Sequence, residues 1–378
     1  MSVDKVDFFR HSLGPEEKEA CLKVLDGLFI TSGQAGAAFE RQFADYLGAA
    51  QAVAVSTGTA ALELALMALD IGPGDEVITT PMTFIATANV CFDLGAIPVL
   101  VDVEPATANL DAGRVEAAIT PRTRAILPVH LYGAMCDVRA LRAIADRHGL
   151  KIVADCAHAI ESRRDGLGSA DLVEAACYSF YATKNITCAE GGAVAVREPA
   201  LAERLKVLRM HGMSKGAAER YAGRFQHWDM LELGRKANLP DVLAALLSPQ
   251  LARIEELWAR REAVSRRYEQ AFAQVPGLDF PRVPAGAKSA RHLFTLWVPQ
   301  RDRFLAEMQA RGIGVSVNYR AIHLLSYYRQ RLGHQPGDFP VAERIGDSTI
   351  SLPLFPGIRD EEVARVIEAV IEVAGLLA

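Results

Sequence analysis

Two charged residues, Asp155 and Lys184, follow apolar segments that have the composition of buried strands. Asp155 ends the segment LKIVAD, and Lys184 follows ACYSF in the segment SFYATKNITCAEGG. Ligands of open α/β sheets bind outside the carboxyl ends of the strands, where a carboxylate can face the binding crevice. A lysine beside a buried strand end is partly desolvated, which lowers its pKa and suits it to Schiff-base chemistry. Taken singly, Asp155 can equally be a helix N-cap and Lys184 a surface loop residue.

The segment VSTGTAALELAL places hydroxyl groups and a glycine where a predicted strand gives way to a predicted helix. Backbone N–H groups at a helix start, together with these hydroxyls, can bind an anion, although a plain Ser/Thr cap explains the segment as well. It lacks the lysine and the length of a Walker loop. Near Lys184, Gly191 and Gly192 permit a close backbone approach, and Ser179 and Thr183 supply hydroxyls.

The three features together are what pyridoxal 5′-phosphate requires. The segment around residues 57–60 would hold the phosphate, and Asp155 would keep the pyridine nitrogen protonated so that the ring accepts electrons. Lys184 would hold the cofactor as a Schiff base and later move a proton between substrate and cofactor carbons. A nicotinamide cofactor is disfavoured, because neither STGTAA nor the sequence GLG at 166–168 is a complete dinucleotide fingerprint.

The elements that position these residues are short apolar runs separated by helix-length segments. The runs are rich in Val and Ile and do not alternate with polar residues, which is typical of strands buried on both faces. The predicted strands are Ala52–Ser56, Glu76–Thr79, Pro98–Val103, Ala125–Val129, Lys151–Asp155, Ala176–Phe180 and Ala193–Val196. The predicted helices between them include Thr59–Leu69, Phe84–Leu94 and Val138–His148. This alternation predicts an α/β fold with a seven-stranded, mostly parallel sheet.

The pattern changes after about Pro199. Leu201–His211 and Pro240–Phe272 have the periodicity of helices with charged outer faces. A strand at His292–Val298, a helix at Asp302–Arg311 and a last helix at Asp360–Leu377 indicate a smaller C-terminal α/β domain. We therefore predict a large cofactor-binding domain at residues 1–248 and a small domain at 249–378, with the first dozen residues packing on the small domain.

Composition narrows the class of protein. The chain has 378 residues, 23% of them charged, and a formal net charge of -5, which gives no reason to expect a nucleic-acid partner. Six widely spaced cysteines form no CxxC pair, so we expect no metal site and reduced thiols. The N-terminus has no apolar signal core, and no run is long enough to span a membrane. We expect a cytoplasmic enzyme without a membrane partner.

The motifs resemble those of the DegT/StrS family of pyridoxal-phosphate-dependent nucleotide-sugar aminotransferases, which have the fold-type I architecture. They cover nearly the whole chain in order and include FITSG, VSTGTAALELAL, GDEVITTPMTF, DCAHA, SFYATKNITCAEGG and SLPLFP. The block KNITCAEGG followed by NLPD most resembles the branch that aminates UDP-4-amino-4-deoxy-L-arabinose precursors with oxoglutarate as the by-product.

The resemblance implies a role for each matching position. Lys184 and Asp155 would be the catalytic pair, and a further group would contact the cofactor: Gly58, Thr59, Ala60 and Ser179 at the phosphate, Phe84 stacked on the ring, and His158 beside its phenolic oxygen. Asn238, or Lys236 two residues before it, would reach the phosphate or substrate of a neighbouring subunit. His323 would lie near the sugar nucleotide. Phe84 can also be a core residue, and His323 a plain surface histidine.

The implied activity is transfer of an amino group from L-glutamate to a keto-sugar nucleotide, favouring a UDP-4-keto sugar, in a homodimer with shared active sites. A 3-keto sugar on a dTDP or GDP carrier is the alternative. The sequence differs from many relatives at Tyr181 and Ala182, just before the lysine, and in the segment GRKAN. These differences leave the identity of the substrate open, but not the class of reaction. A sugar dehydratase on this scaffold would carry histidine in place of Lys184. A regulatory family member should have lost that lysine or Asp155.

Overall fold

The structure is a computed structural model that describes residues 5–214 and 227–377. Its strands are β1 Gln51–Val55, β2 Glu76–Thr79, β3 Ile97–Leu100, β4 Thr123–Ile126, β5 Lys151–Asp155, β6 Arg163–Arg164, β7 Leu167–Gly168, β8 Ala175–Ser179, β9 Gly192–Val196, β10 Phe294–Trp297 and β11 Thr349–Leu352. Seven of them form the main sheet in the order β1-β9-β8-β5-β4-β2-β3. Strand β9 is antiparallel to both of its neighbours, and the other six run in one direction. The predicted seven-stranded, mostly parallel sheet is confirmed.

Both faces of this sheet are covered, which explains why its strands are apolar throughout. Along β5, Ile152 and Ala154 belong to one hydrophobic cluster, whereas Val153 belongs to the cluster on the opposite face. Strands β8 and β9 are buried at every position. A strand with two covered faces has no position at which a polar side chain could reach water, so the alternating pattern of a half-exposed strand is missing.

The helices are α1 Pro15–Leu25, α2 Gln34–Leu47, α3 Gly58–Ala68, α4 Ala86–Asp93, α5 Ala112–Val115, α6 Val138–His148, α7 Pro199–Leu208, α8 Asp241–Ala244, α9 Leu247–Ala252, α10 Ile254–Phe272, α11 Arg301–Ala310, α12 Ser326–Leu332, α13 Pro340–Ser348 and α14 Asp360–Leu377. The helix predicted over Pro240–Phe272 is thus three helices. The backbone turns at Arg253, where φ is -115° and ψ is 19°, so α10 starts in a new direction. Periodicity alone did not reveal these breaks, because the apolar pattern continues across them.

A second, two-stranded sheet lies in the C-terminal part of the chain, where β10 pairs antiparallel with β11. Its hydrophobic cluster also takes in Val6, which forms a parallel bridge with Ile313. Arg10 adds an ion pair with Glu362 at 2.6 Å. The described part of the N-terminal segment therefore packs on C-terminal elements, while residues 1–4 lie outside the described residues. The boundary predicted at residue 248 stays a prediction. Among residues 5–214 and 227–377, no helix is long and apolar enough to cross a membrane.

Candidate active site

A cavity of about 540 Å³ opens at the carboxyl ends of β5 and β8. It lies beside the N-terminus of α3 and reaches residues of the C-terminal part of the chain. Its lining includes Gly58, Thr59, Phe84, Asp155, His158, Ser179, Lys184 and Tyr319. The structure thus brings together seven of the residues singled out from the sequence, although they are spread over more than a hundred positions of the chain.

The N-terminus of α3 forms one wall of the cavity. Thr57 is its N-cap, and its Oγ1 accepts a hydrogen bond from the backbone N–H of Ala60 at 3.0 Å. The backbone N–H of Ala60 is therefore already hydrogen-bonded, and Ala60 does not line the cavity. Gly58 and Thr59 do line it, and the first N–H groups of a helix are available to an anion. The structure favours Gly58 and Thr59 over Ala60 as phosphate ligands.

Two glycines allow this wall to sit close to the sheet. A Cβ atom on Gly58 would lie 2.7 Å from Cβ of Ser179, and one on Gly192 would lie 2.4 Å from the carbonyl oxygen of Thr57. Carbon atoms pack at about 3.5–4.0 Å, so neither position can carry a side chain without a shift. The close approach places the hydroxyl of Ser179 next to the start of α3, where it can donate to the same anion.

Asp155 is buried at the end of β5, with only 7% of its surface exposed. Its Oδ2 accepts a hydrogen bond from Thr87 Oγ1 at 2.9 Å, and its Oδ1 accepts one from the backbone N–H of Ala157 at 3.0 Å. These bonds fix the orientation of the carboxylate. Burial raises the pKa of Asp155, whereas Thr87, Ala157 and the charge of Lys184 act in the opposite direction. A cation opposite this carboxylate would favour its ionised form.

Lys184 lies across the same cavity and is only partly exposed. Desolvation lowers the pKa of its amine to about 8, although the carboxylate of Asp155 opposes that shift. The normal lysine pKa is above 10, so a much larger fraction of this amine is neutral near physiological pH. A neutral amine is the form that can attack a carbonyl carbon.

His158 follows β5 and lies beside the cavity. Its Nδ1 accepts a hydrogen bond from the backbone N–H of Tyr132 at 3.2 Å, so the proton of the neutral ring is on Nε2. Burial, reinforced by the charges of Lys184 and His292, holds the pKa of His158 well below its usual range. The ring therefore presents a neutral N–H donor, with the hydroxyl of Tyr319 at 3.4 Å from Nε2.

Phe84 lines the cavity with 55% of its surface exposed, so it is not a core residue. Its ring centroid is 5.9 Å from that of Tyr319, and the two rings are tilted by 47°. The exposed part of the ring is accessible to a molecule bound in the cavity. This position suits a residue that packs on the face of a planar ligand.

Three of the predicted residues lie elsewhere. Lys236 is exposed and hydrogen-bonds Asn238, which lines a separate cleft of about 420 Å³ with Thr31 and Ser32. Neither lines the cavity that contains Lys184. His323 is fully buried, with Nε2 3.0 Å from Glu343 Oε1 and its ring packed on Phe339, so it cannot contact a substrate in this conformation.

Sequence reasoning did not identify several residues that line the cavity or position its side chains. Thr87 donates a hydrogen bond to Asp155. The only indication of this role in the sequence was its position in α4, one turn after Phe84. Glu190 lines the cavity from the quoted segment SFYATKNITCAEGG. Asn318 and Tyr319 come from the loop that precedes His323, and no pattern in that loop indicates which residue faces the cavity.

This set of residues fits pyridoxal 5′-phosphate. The helix start and Ser179 match a phosphate, the buried carboxylate of Asp155 matches a protonated pyridine nitrogen, and the desolvated amine of Lys184 matches an aldehyde. The surroundings of Gly58 leave no room for a side chain, which is a further indication that the start of α3 and Ser179 form a phosphate site. The described residues contain no group of histidine, cysteine and carboxylate side chains that could hold a metal ion.

Comparison with known proteins agrees with this geometry. The model of the DegT/DnrJ/EryC1/StrS aminotransferase family matches residues 11–371. The spore coat polysaccharide biosynthesis protein SpsC of Bacillus subtilis is 40% identical over 366 residues, which is 95% of this chain and 94% of SpsC.

Solved structures with the same fold include two proteins that cover nearly the whole chain. The putative sugar aminotransferase Spr1654 from Streptococcus pneumoniae, in its PMP form, superposes with a TM-score of 0.94 at 30% identity and covers 99% of this chain and 100% of its own. DesV from S. venezuelae, in complex with a ketimine intermediate, has a TM-score of 0.86 at 39% identity over 95% of this chain and 94% of its own. The chain therefore belongs to the DegT/DnrJ/EryC1/StrS aminotransferase family and is a pyridoxal-phosphate-dependent sugar aminotransferase.

Proposed function

We propose that this enzyme transfers the amino group of L-glutamate to a keto-sugar carried on a nucleoside diphosphate, with Lys184 and Asp155 as its catalytic residues. The observation that carries the proposal is the single cavity that holds a helix N-terminus, a buried carboxylate and a desolvated lysine amine. When bound there, pyridoxal phosphate supplies an electron sink for cleavage of a C–H bond next to the substrate nitrogen.

Lys184 is placed to move the proton. Its Nζ has a pKa near 8, so it can take up a proton and return it at physiological pH without a large free-energy penalty in either direction. Asp155 is held instead by hydrogen bonds from Thr87 and Ala157, which fix the orientation of its carboxylate. The two residues thus have separate tasks, proton transfer for Lys184 and charge stabilisation for Asp155.

We favour a UDP-4-keto sugar as the amino acceptor. The support is the motif KNITCAEGG followed by NLPD, which resembles the arabinose branch of the family. The segment GRKAN and the pair Tyr181-Ala182 differ from many relatives. Of these residues, Tyr181 lines the cavity, where a sugar would bind. A 3-keto sugar on a dTDP or GDP carrier is the second candidate. The name of SpsC connects that relative with the biosynthesis of a spore coat polysaccharide, which is compatible with either sugar.

We also propose a cytoplasmic homodimer with shared active sites. Large exposed apolar side chains support a second copy as the partner, because an interface between subunits would remove them from water. They include Leu28 (89% exposed), Leu231 (60%) and Leu233 (70%). Leu231 and Leu233 lie a few residues before Lys236 and Asn238, which do not reach the cavity of their own chain. In a dimer these two polar residues could extend into the cavity of the other subunit.

The test is a substrate panel. Purified enzyme with pyridoxal phosphate and L-glutamate is incubated with UDP-4-keto, dTDP-3-keto, dTDP-4-keto and GDP-4-keto sugars, and products are identified by mass and NMR. We expect an amino sugar on the UDP carrier with amination at C4, and stoichiometric 2-oxoglutarate. Amination of only a dTDP or GDP sugar would contradict the substrate we favour. Absence of any amination by a protein that binds pyridoxal phosphate would contradict the proposed function.

A further inference from the structure

A chain of buried hydrogen bonds runs from α10 to the loop that contains the cofactor lysine. Arg261 Nη2 donates to Glu161 Oε1 at 2.5 Å, and the two side chains are 2% and 0% exposed. Glu161 Oε2 accepts a hydrogen bond from Asn185 Nδ2 at 2.8 Å. The oxygen of the same amide, Asn185 Oδ1, lies 3.0 Å from His292 Nδ1. Four side chains from different elements thus form one connected series.

This series fixes the tautomer of His292. Arg261 is always protonated, and a buried guanidinium without a counter-charge is strongly unfavourable, so Glu161 is ionised and can only accept. Asn185 must turn its NH2 group toward Glu161 and its oxygen toward His292. The proton of the neutral His292 ring is therefore on Nδ1, and Nε2 carries a lone pair. Burial, together with the charge of Lys184, holds the pKa of His292 well below its usual range.

His292 and His158 form a pair with opposite hydrogen-bonding character. Their ring centroids are 4.3 Å apart, and both rings are buried. His158 presents an N–H donor at Nε2, because its Nδ1 accepts from Tyr132. His292 presents an acceptor at Nε2, because its Nδ1 donates to Asn185. Within the described residues, His292 Nε2 has no hydrogen-bond partner.

His292 lines a second, smaller cavity of about 60 Å³, which also has Lys184 on its wall. Asn318 also lines it, and the Oδ1 atom of Asn318 is buried without a partner in the part of the chain that the structure describes. A cavity of this size can hold an ammonium group or a few waters. The cavity therefore brings together two acceptors and the side chain of Lys184, whose amine can donate to both.

We propose that the 60 Å³ cavity is the resting place of the Lys184 amine whenever the lysine is not joined to the cofactor, and that His292 Nε2 and Asn318 Oδ1 accept its hydrogen bonds there. The inference rests on the proposed role of Lys184 as the cofactor lysine. His292 and Asn318 are positioning residues in this scheme, since they act through Lys184.

The scheme has a measurable consequence. An ammonium group in a partly desolvated site is stabilised by each acceptor that faces it, so removing an acceptor lowers the lysine pKa. The lysine would also be held less firmly when it has to return its proton, which affects turnover more than substrate binding. The other charged group that acts on Lys184 is Asp155. Asp155 remains in place in all the variants below.

The experiment compares His292→Phe, which removes the acceptor, with His292→Gln, whose amide can donate to Asn185 and accept from Lys184. The Lys184 pKa is measured in the cofactor-free full chain from the pH dependence of acetylation of the Lys184 peptide, followed by mass spectrometry. We expect His292→Phe to lower that pKa by about 1 unit and His292→Gln to restore part of the shift. In the holoenzyme, kcat should fall by about tenfold in His292→Phe with little change in KM for glutamate.

His148→Phe is the matched control, because His148 lies at the end of α6 in an exposed ion pair with Glu116 and should leave the Lys184 pKa unchanged. An unchanged Lys184 pKa in His292→Phe would overturn the inference. Should that variant not fold, ¹⁵N-histidine NMR of the wild type decides, since a ring of His292 protonated on Nε2 overturns it and one protonated on Nδ1 supports it. Borohydride attachment of the cofactor to Lys184 is measured separately. A failure of the proposed function can therefore be distinguished from a failure of this inference.

Discussion

Replacing Gly58 with alanine is the sharpest test of the phosphate cradle, the site formed by Gly58 and Thr59 at the start of α3 and by Ser179. The added Cβ would lie 2.7 Å from Cβ, 3.1 Å from Oγ and 3.3 Å from Cα of Ser179. Contacts of this kind relax at about 3.5–4.0 Å, so the start of α3 and β8 must separate by about 1 Å. After such a shift, the α3 N–H groups and the Ser179 hydroxyl can no longer bind the same phosphate.

The expected loss of affinity for pyridoxal phosphate follows from the hydrogen bonds to the phosphate that the shift would break. A hydrogen bond to a charged group contributes about 1.5–3 kcal/mol, so the loss of one raises the Kd for pyridoxal phosphate by about 10- to 100-fold. The assay is an equilibrium titration of the cofactor-free protein with pyridoxal phosphate, followed by absorbance. At saturating cofactor the loss in kcat should be smaller than the loss in affinity.

Gly375→Ala is the control for this experiment. Gly375 lies in α14, and a Cβ there would meet nothing within 4 Å. Alanine is favoured over glycine in a helix by about 1 kcal/mol, so this variant should be slightly more stable and bind the cofactor like the wild type. A Gly58→Ala protein with the wild-type Kd would refute the assignment of the cradle.

Three further outcomes are expected. Thr87→Val removes the 2.9 Å hydrogen bond to the buried carboxylate of Asp155 and should lower kcat by about tenfold; an unchanged kcat in steady-state assays would contradict this role. Because the pKa of Lys184 is about 8 and only the neutral amine attacks an aldehyde, stopped-flow rates of cofactor capture should rise with pH up to that value and level off above it. A pH-independent rate would argue against Lys184 as the attacking group. Arg261→Met leaves the Glu161 carboxylate buried without its counter-charge and should lower the free energy of unfolding by about 3–5 kcal/mol. Denaturant midpoints measure this loss, and the double variant with Glu161→Gln should recover part of it; an Arg261→Met midpoint equal to that of the wild type would contradict the account.

The main sheet could be predicted from the sequence because its strands are covered on both faces. Apolar runs such as Lys151–Asp155 stand out against the turns that bound them, and the observed β5 has the same limits. Strand β11 was not predicted as a strand, although its last two residues, Ser351 and Leu352, begin the quoted motif SLPLFP. It is only four residues long and acquires its pairing from β10, which is more than fifty positions away.

The catalytic centre was partly predictable for a similar reason. Asp155 and the start of α3 each sit at a strand end, and strand ends meet at one edge of a parallel sheet. Asn318 and His292 come instead from loops of the C-terminal part, whose approach to Lys184 depends on packing between distant segments. His323 illustrates the converse: its sequence context suggested a substrate contact, whereas burial against Phe339 turns its ring away from solvent.

The central claim is that Lys184 carries the cofactor, and reduction with borohydride followed by peptide mapping tests it most directly. The purified protein should be yellow after incubation with pyridoxal phosphate. Reduction should then fix one cofactor per chain, on the peptide that contains Lys184, and Lys184→Ala should fix none. A cofactor fixed on another lysine, or a protein that stays colourless with pyridoxal phosphate, would contradict the account.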